Sequence, residues 1–141
     1  MFYKRVGHKG NFGNEYLQFE INREGRLRYL NSSCYKSEKE IKREVYLNDV
    51  VIEEIIKIIK SSNVEKYKDK RWPYPDKNGK QTLEFSIDDD DYKYTTSKIG
   101  SYSEIENSKD PEGLNCFYCL IQDIKCLIMS LISLNFKSKP V

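Results

Sequence analysis

The stretch from Asp110 to Asn135, DPEGLNCFYCLIQDIKCLIMSLISLN, carries the clearest structural signal in the chain. Asp110 can cap a helix, Pro111 occupies the favoured first helical position, and Glu112 complements the positive end of the helix dipole. The apolar residues that follow recur at helical spacing, so the stretch predicts one long helix that ends near Asn135. Polar residues at positions 122, 123 and 125 interrupt the apolar tract, and we therefore interpret it as a buried helix rather than a membrane span.

The apolar face of this predicted helix is wider than one packing contact requires. Its apolar members are Leu114, Phe117, Tyr118, Leu120, Ile121, Ile124, Leu127, Ile128, Met129, Leu131, Ile132 and Leu134. At 100° per residue they span about 220°, whereas a helix packed on one sheet face needs a stripe a little over 100° wide. Either a neighbouring helix and the chain ends cover the excess, or the helix exposes it to a partner protein. Both interpretations favour binding over catalysis.

A second apolar helix is predicted earlier in the chain. Asn48 is suited to cap it, Asp49 places negative charge in its first turn, and the sequence VVIEEIIKIIK continues to about Lys60. Its isoleucines cover one broad face and its charged residues the opposite one.

The remaining segments predict strands joined mostly by short turns. Strand patterns occur at residues 2–6, 14–23, 26–30, 80–87 and 92–99; residues 39–47 fit a helix or a strand and are interpreted as a strand. The polar segment 64–79 holds two prolines and predicts a loop, and residues 101–106 predict a short helix. We therefore expect one domain over residues 1–141, of the α+β class, with a six-stranded antiparallel sheet and two long helices and one short helix packed on one face.

The composition gives no support to an enzyme. Lys and Arg number 24 against 22 Asp and Glu, so the net charge is only +2, far from the basic excess of a domain that itself grips nucleic acid. His8 is the sole histidine, and Cys116 and Cys119 sit in mid-helix, where buried thiols are a better interpretation than a zinc or redox site. The acidic run 88–91 lacks the calcium-loop pattern and predicts a hairpin turn. We expect no catalysis, no cofactor and no metal.

The segment GHKGNFG, Gly7 to Gly13, admits two interpretations. Its first four residues match the bare GXXG pattern of a KH-type RNA-binding loop, which joins two helices. Because strand patterns flank the segment, a hairpin connection is the favoured interpretation. A KH-like RNA-binding module that uses Gly7 to Gly13 is the alternative function.

Several irregular segments resemble the mago nashi family. They are GHKGNFGNEYLQFE, GRLRYLN, WPYPD, TTSKIGS, SKDPEGL and FKSKP, and they lie in register over nearly the whole chain. The resemblance implies the α+β architecture described above and a non-enzymatic subunit of the exon junction complex core. Such a subunit forms an obligate heterodimer with an RNA-recognition-motif protein, and the dimer clamps a DEAD-box ATPase on spliced mRNA. It also implies a nuclear protein that shuttles to the cytoplasm and takes part in mRNA transport and nonsense-mediated decay, with no membrane and no small-molecule substrate.

The resemblance also implies roles for particular residues. The residues expected to share sheet-facing and partner-facing roles in the two long helices are Ile55, Ile59, Phe117, Ile121, Ile124, Ile128, Leu131 and Ile132, with Ile128 and Leu131 as the leading contacts to the RNA-recognition-motif protein. Glu112 and Lys125 match family positions that face the ATPase.

Overall fold

The computed structural model describes residues 1–10, 13–32, 41–76 and 79–135. The strands are β1 (Phe2–Gly10), β2 (Gly13–Ile21), β3 (Arg26–Ser32), β4 (Ile41–Tyr46), β5 (Lys80–Ile87) and β6 (Asp90–Ser97). The helices are α1 (Asp49–Ser62), α2 (Tyr102–Glu106) and α3 (Pro111–Asn135). The mixed α+β class predicted from the sequence is confirmed.

The strands pair in the order β4-β3-β2-β1-β5-β6, with every neighbouring pair antiparallel. Successive side chains alternate between the two faces of a strand, and one face carries the buried aromatic and aliphatic residues. Tyr3, Phe19 and Leu83 lie opposite one another across β1, β2 and β5 and are almost completely buried. They form one core with the inward side chains of α1 and α3.

Two tight turns show how the sequence sets the strand register. Gly25 has φ +88°, and a Cβ atom there would lie 2.7 Å from the carbonyl oxygen of Leu47, so only glycine fits this turn. Asp88 and Asp89 both have positive φ, 52° and 69°, as a two-residue type I′ hairpin turn requires. The acidic run is therefore part of a hairpin, as predicted.

Local capping signals set the starts of both long helices. The Asn48 side chain accepts a hydrogen bond of 3.0 Å from the Val51 N–H, and the Asp110 side chain accepts one of 3.2 Å from the Gly113 N–H. Each bond satisfies an N–H that has no partner within its helix. The predicted positions of the two helices are confirmed.

The prediction for residues 64–79 was wrong in one respect. The segment contains two short 3₁₀ turns, at Val64–Lys66 and Asp69–Arg71, and it supplies the core with Val64 and Trp72. The Trp72 ring is 2% exposed and stacks on Phe117 at a centroid distance of 5.0 Å. The burial of Trp72 was not predicted, because a single buried residue in a polar segment with two prolines gives no periodic pattern.

By length and composition α3 could cross a membrane, and it is the single helix of the described residues that passes this test. A helix at the centre of a protein core has the same composition. Leu114, Phe117, Ile124 and Ile128 are fully buried by the rest of the chain, as expected for a core helix.

Candidate protein-binding surface

The helices α1 and α3 lie side by side and leave a groove of about 490 Å³ between them. Its walls combine apolar, thiol and charged groups: Glu54, Lys57, Ile58, Ser61, Ser62, Asn115, Cys116, Cys119, Leu120 and Asp123. Ile58 is half-buried and Cys119 is exposed, so both are accessible to a partner.

Apolar side chains continue from the groove along α3. At 100° per residue, Leu127, Leu131 and Leu134 lie within about 60° of one another and of Cys116. Leu127 and Leu131 are half-buried, while Leu134 is 76% exposed. We define the helix surface as the groove residues together with these three leucines.

Six of the eight residues assigned to the helices by resemblance belong to the chain's own core. Ile55, Ile59, Phe117, Ile121, Ile124 and Ile128 are all at least 96% buried without any partner present. Ile128, one of the two leading partner contacts, is completely buried. These side chains have no area left for a partner to cover, so their partner-facing role is corrected to a sheet-facing or helix-facing one.

Leu131 and Ile132 keep accessible area and remain candidates for partner contact. Leu131 belongs to the helix surface, whereas Ile132 lies about 100° further around α3, toward Met129. Met129 is 47% exposed, and its sulfur accepts a hydrogen bond of 3.3 Å from the Tyr29 hydroxyl. Tyr29 is buried in β3, so this contact fixes Met129 against the sheet.

Sequence reasoning did not single out Leu127 and Leu134 as partner contacts. Both lie near one edge of the 220° apolar arc, and the centre of the arc packs on the sheet. The width of the arc could have identified them, because a flat sheet covers the centre of such an arc first and leaves the residues at its edges accessible. Ile58 was missed for the same reason, because it lies at the edge of the apolar face of α1.

The structure does not bring Glu112 and Lys125 together. They lie about 20 Å apart along α3 and about 140° apart around it, by the standard rise and turn of an α-helix. Glu112 is exposed and Lys125 is half-buried. Burial lowers the pKa of Lys125, and the nearby positive charges of Arg5 and Lys98 lower it further.

Cys116, Cys119 and His8 are the residues that the sequence offered for thiol or metal chemistry. Burial raises the pKa of the Cys116 thiol, and a raised pKa disfavours the reactive thiolate. No group of His, Cys, Asp and Glu within the described ranges could hold a metal ion. The side chain of His8 lies outside the described residues, as do Asn11 and Phe12 entirely.

The Gly7–Gly13 segment contains the end of β1 and the start of β2, so β1 extends four residues beyond the strand predicted at residues 2–6. β1 runs to Gly10, β2 begins at Gly13, and these two glycines pair across the hairpin. The register shifts between Val6 and Lys9, which marks an irregularity in the ladder. The hairpin interpretation is confirmed, and the helix-to-helix setting of a KH loop is absent here.

Known proteins are similar to this chain over nearly its whole length. The family described as "Mago nashi protein" matches residues 2–141 of the chain. The chain is 49% identical over 142 residues to "Protein mago nashi homolog" of Arabidopsis thaliana, an alignment that covers 99% of this chain and 95% of that protein.

Proposed function

The chain belongs to the mago nashi family, and on that premise we propose that it is a non-enzymatic subunit of the exon junction complex core. It forms an obligate heterodimer with an RNA-recognition-motif protein through α1 and α3. The heterodimer clamps a DEAD-box ATPase on spliced mRNA, so that the chain meets mRNA only through the complex. It acts in mRNA export, localisation and surveillance, in the nucleus and after shuttling to the cytoplasm.

The observation that carries this proposal is the line of accessible apolar side chains along α3. Leu127, Leu131 and Leu134 remain partly or largely accessible although the core beneath them is complete. A contiguous apolar strip beside a groove is the expected centre of a protein interface, where burial of apolar area drives association. The charged groove residues Glu54, Lys57 and Asp123 would lie around this centre and select the partner by charge complementarity.

The proposed mechanism is binding without chemistry. The helix surface holds the RNA-recognition-motif protein, and residues elsewhere on α3, among them Glu112 and Lys125, face the ATPase. Because these two lie on different sides of α3, an ATPase that contacts both must wrap around the helix or use two separate segments. Support for this division comes from the family match and from the accessibility of both side chains.

Leu131→Arg tests the heterodimer. The substitution places an unpaired charge in a desolvated apolar contact, and we expect it to weaken binding of the RNA-recognition-motif protein at least about a hundredfold. The measurement is the yield of heterodimer after co-expression of the two chains and affinity purification.

Tyr46→Arg is the matched control. Tyr46 is 70% exposed at the end of β4, on the sheet face opposite the helices, so its substitution should leave the yield unchanged. A wild-type yield for Leu131→Arg would show that the helix surface does not bind this partner. Equal losses from both substitutions would show a nonspecific effect of added arginine.

A further inference from the structure

One edge of the sheet is covered by the chain along only half of its length. β6 is the last strand in the sheet order, so no strand of the sheet pairs with its side away from β5. On that side the Asp69 carboxylate accepts a hydrogen bond of 2.8 Å from the Thr95 N–H. The Pro73 carbonyl accepts one of 3.1 Å from the Ser97 N–H. The segment before β5 therefore covers the second half of β6, and the first half, residues 90–93, lies beyond these contacts.

The hairpin turn determines which backbone groups of β6 point to this edge. A two-residue turn makes Ile87 and Asp90 a hydrogen-bonded pair, and bonded and non-bonded pairs then alternate along the ladder. Asp91 and Lys93 belong to non-bonded pairs, so their N–H and C=O groups point away from β5. The two covered N–H groups, two and four residues after Lys93, fit the same alternation. Within the described ranges, no residue accepts a hydrogen bond from the N–H of Asp91 or Lys93.

A cavity of about 260 Å³ lies beside these residues, on the helix-covered face of the sheet. It is lined by Lys60, Glu65, Phe85, Ile87, Asp88, Asp90 and Tyr92. Tyr92 is half-buried, and its ring stacks on Phe85 at a centroid distance of 5.1 Å. A strand added to the edge places every second side chain on the same sheet face as Tyr92. The cavity can therefore receive one apolar side chain of such a strand.

Carboxylates surround this half of β6. The acidic run 88–91 forms the turn and the start of the strand, and Glu65 lines the same cavity. The Lys60 Nζ lies 3.5 Å from Asp88, whereas Glu65 and Asp90 form no ion pair with a described residue. Charged side chains on an edge strand oppose pairing with an identical chain, because the two acidic runs repel each other. The same charges attract a basic segment of another protein.

We propose that the first half of β6, Asp90–Lys93, accepts an extended basic segment of a partner protein as an added strand. The backbones of Asp91 and Lys93 offer this segment two N–H donors and two C=O acceptors. One apolar side chain of the segment enters the cavity, and lysines or arginines on either side of it meet the carboxylates. The site shares no residue with the helix surface, so its occupation does not depend on the heterodimer.

The first test measures binding of a fluorescein-labelled peptide, KKVVVKK, to the full chain by fluorescence anisotropy. We expect binding at low ionic strength that weakens as salt is added. The same peptide N-methylated at its three valines lacks the N–H donors of a strand and should bind at least about tenfold more weakly. The charge-reversed peptide EEVVVEE should also bind at least about tenfold more weakly. Equal binding of the N-methylated peptide, or no binding of KKVVVKK, would overturn the proposal.

A pair of variants tests the strand edge itself. Lys93→Pro removes an N–H that points to the open side, so it breaks no bond of the β5–β6 ladder. Lys93→Ala is the matched control, because it removes the same charge and keeps the N–H. Lys93→Pro should bind KKVVVKK at least about tenfold more weakly than Lys93→Ala, with the circular dichroism spectrum of the fold retained. Equal affinities of the two variants would contradict the added strand.

Amide hydrogen exchange of the isotope-labelled wild type tests the same edge without any variant. The Asp91 and Lys93 amides should exchange rapidly in the free chain, whereas those of Tyr92 and Tyr94 are protected by the ladder. Adding KKVVVKK should slow the first two at least about tenfold. Protection of these two amides in the free chain, or no change on adding the peptide, would overturn the proposal.

Two further outcomes identify the occupant and separate this site from the heterodimer. A dimer of the chain in sedimentation, lost in Lys93→Pro and kept in Lys93→Ala, would replace the partner protein with a second copy. Leu131→Arg alters the helix surface alone and should bind KKVVVKK as the wild type does. Loss of the heterodimer and loss of the added strand therefore give different results.

Discussion

At the scale of single residues, Trp72 joins three parts of the fold. Its ring packs against Phe117 of α3 and Tyr94 of β6, at centroid distances of 5.0 and 5.4 Å, and these two rings also contact each other. Its indole N–H donates a hydrogen bond of 3.2 Å to Asp110, whose other carboxylate oxygen caps α3. One side chain therefore anchors the segment before β5 and supports the residue that starts the long helix.

Trp72→Ala should lower the free energy of unfolding by about 3–5 kcal/mol, the usual loss for a buried tryptophan. Urea unfolding followed by circular dichroism measures it, since the substitution removes the chain's only tryptophan fluorescence. Tyr74→Ala, two residues later and 81% exposed, is the control and should change stability by no more than about 0.5 kcal/mol. Similar losses for the two variants would contradict the anchoring role.

Tyr3 gives a prediction for alkaline pH. Burial raises the pKa of Tyr3 to about 12 from 10.0, so the unfolded chain loses this proton first as the pH rises. The free energy of unfolding must therefore fall between pH 10 and pH 12, by up to about 1.4 kcal/mol per pH unit from this residue. Tyr3→Phe should flatten that slope, measured by urea unfolding at several pH values from 8 to 11.

The matched control is Tyr74→Phe, which removes the same hydroxyl from a side chain that is 81% exposed and should leave the measured slope unchanged. At pH 8 Tyr3→Phe should cost only about 1 kcal/mol, the usual value of one hydrogen bond, here the 3.2 Å contact from the hydroxyl to Gln81. An unchanged slope in Tyr3→Phe would show that this hydroxyl titrates alike in the folded and unfolded chains.

At the scale of elements, α1 depends on its cap. Asn48→Ala removes the acceptor for the Val51 N–H and should lower the free energy of unfolding by about 1 kcal/mol. Asn48→Asp keeps an acceptor and suits the helix dipole, so it should stay within about 0.5 kcal/mol of the wild type. Thermal or urea unfolding of the three proteins distinguishes the cap from a general effect of changing this position.

The long helices were predictable because their signals are local. The cap, the proline and the acidic first turn of α3 are adjacent in sequence, and the predicted span from Pro111 to Asn135 is the observed one. The hairpin at Asp88 and Asp89 was predictable for the same reason, since its conformation depends on two adjacent residues.

The division of the apolar arc was not predictable, because it depends on which neighbours cover each side. Ile128 and Leu131 both belong to the arc, yet the fold buries the first completely and leaves the second half-buried.

At the scale of the whole molecule, the described chain places its accessible features in separate regions. The helix surface combines an apolar strip with a groove, while Glu112 lies apart from it at the start of α3. Separate surfaces allow one subunit to hold two partners at once. The proposed function uses this separation, because each partner would need a contact surface of its own.

The most direct test is affinity purification of the tagged chain from its native source, with mass spectrometric identification of every co-eluting protein. We expect a stoichiometric RNA-recognition-motif protein, and a DEAD-box ATPase whose recovery depends on RNA. Introducing Leu131→Arg should remove both. Recovery of the chain alone, or with RNA and no RNA-recognition-motif protein, would contradict the proposed function.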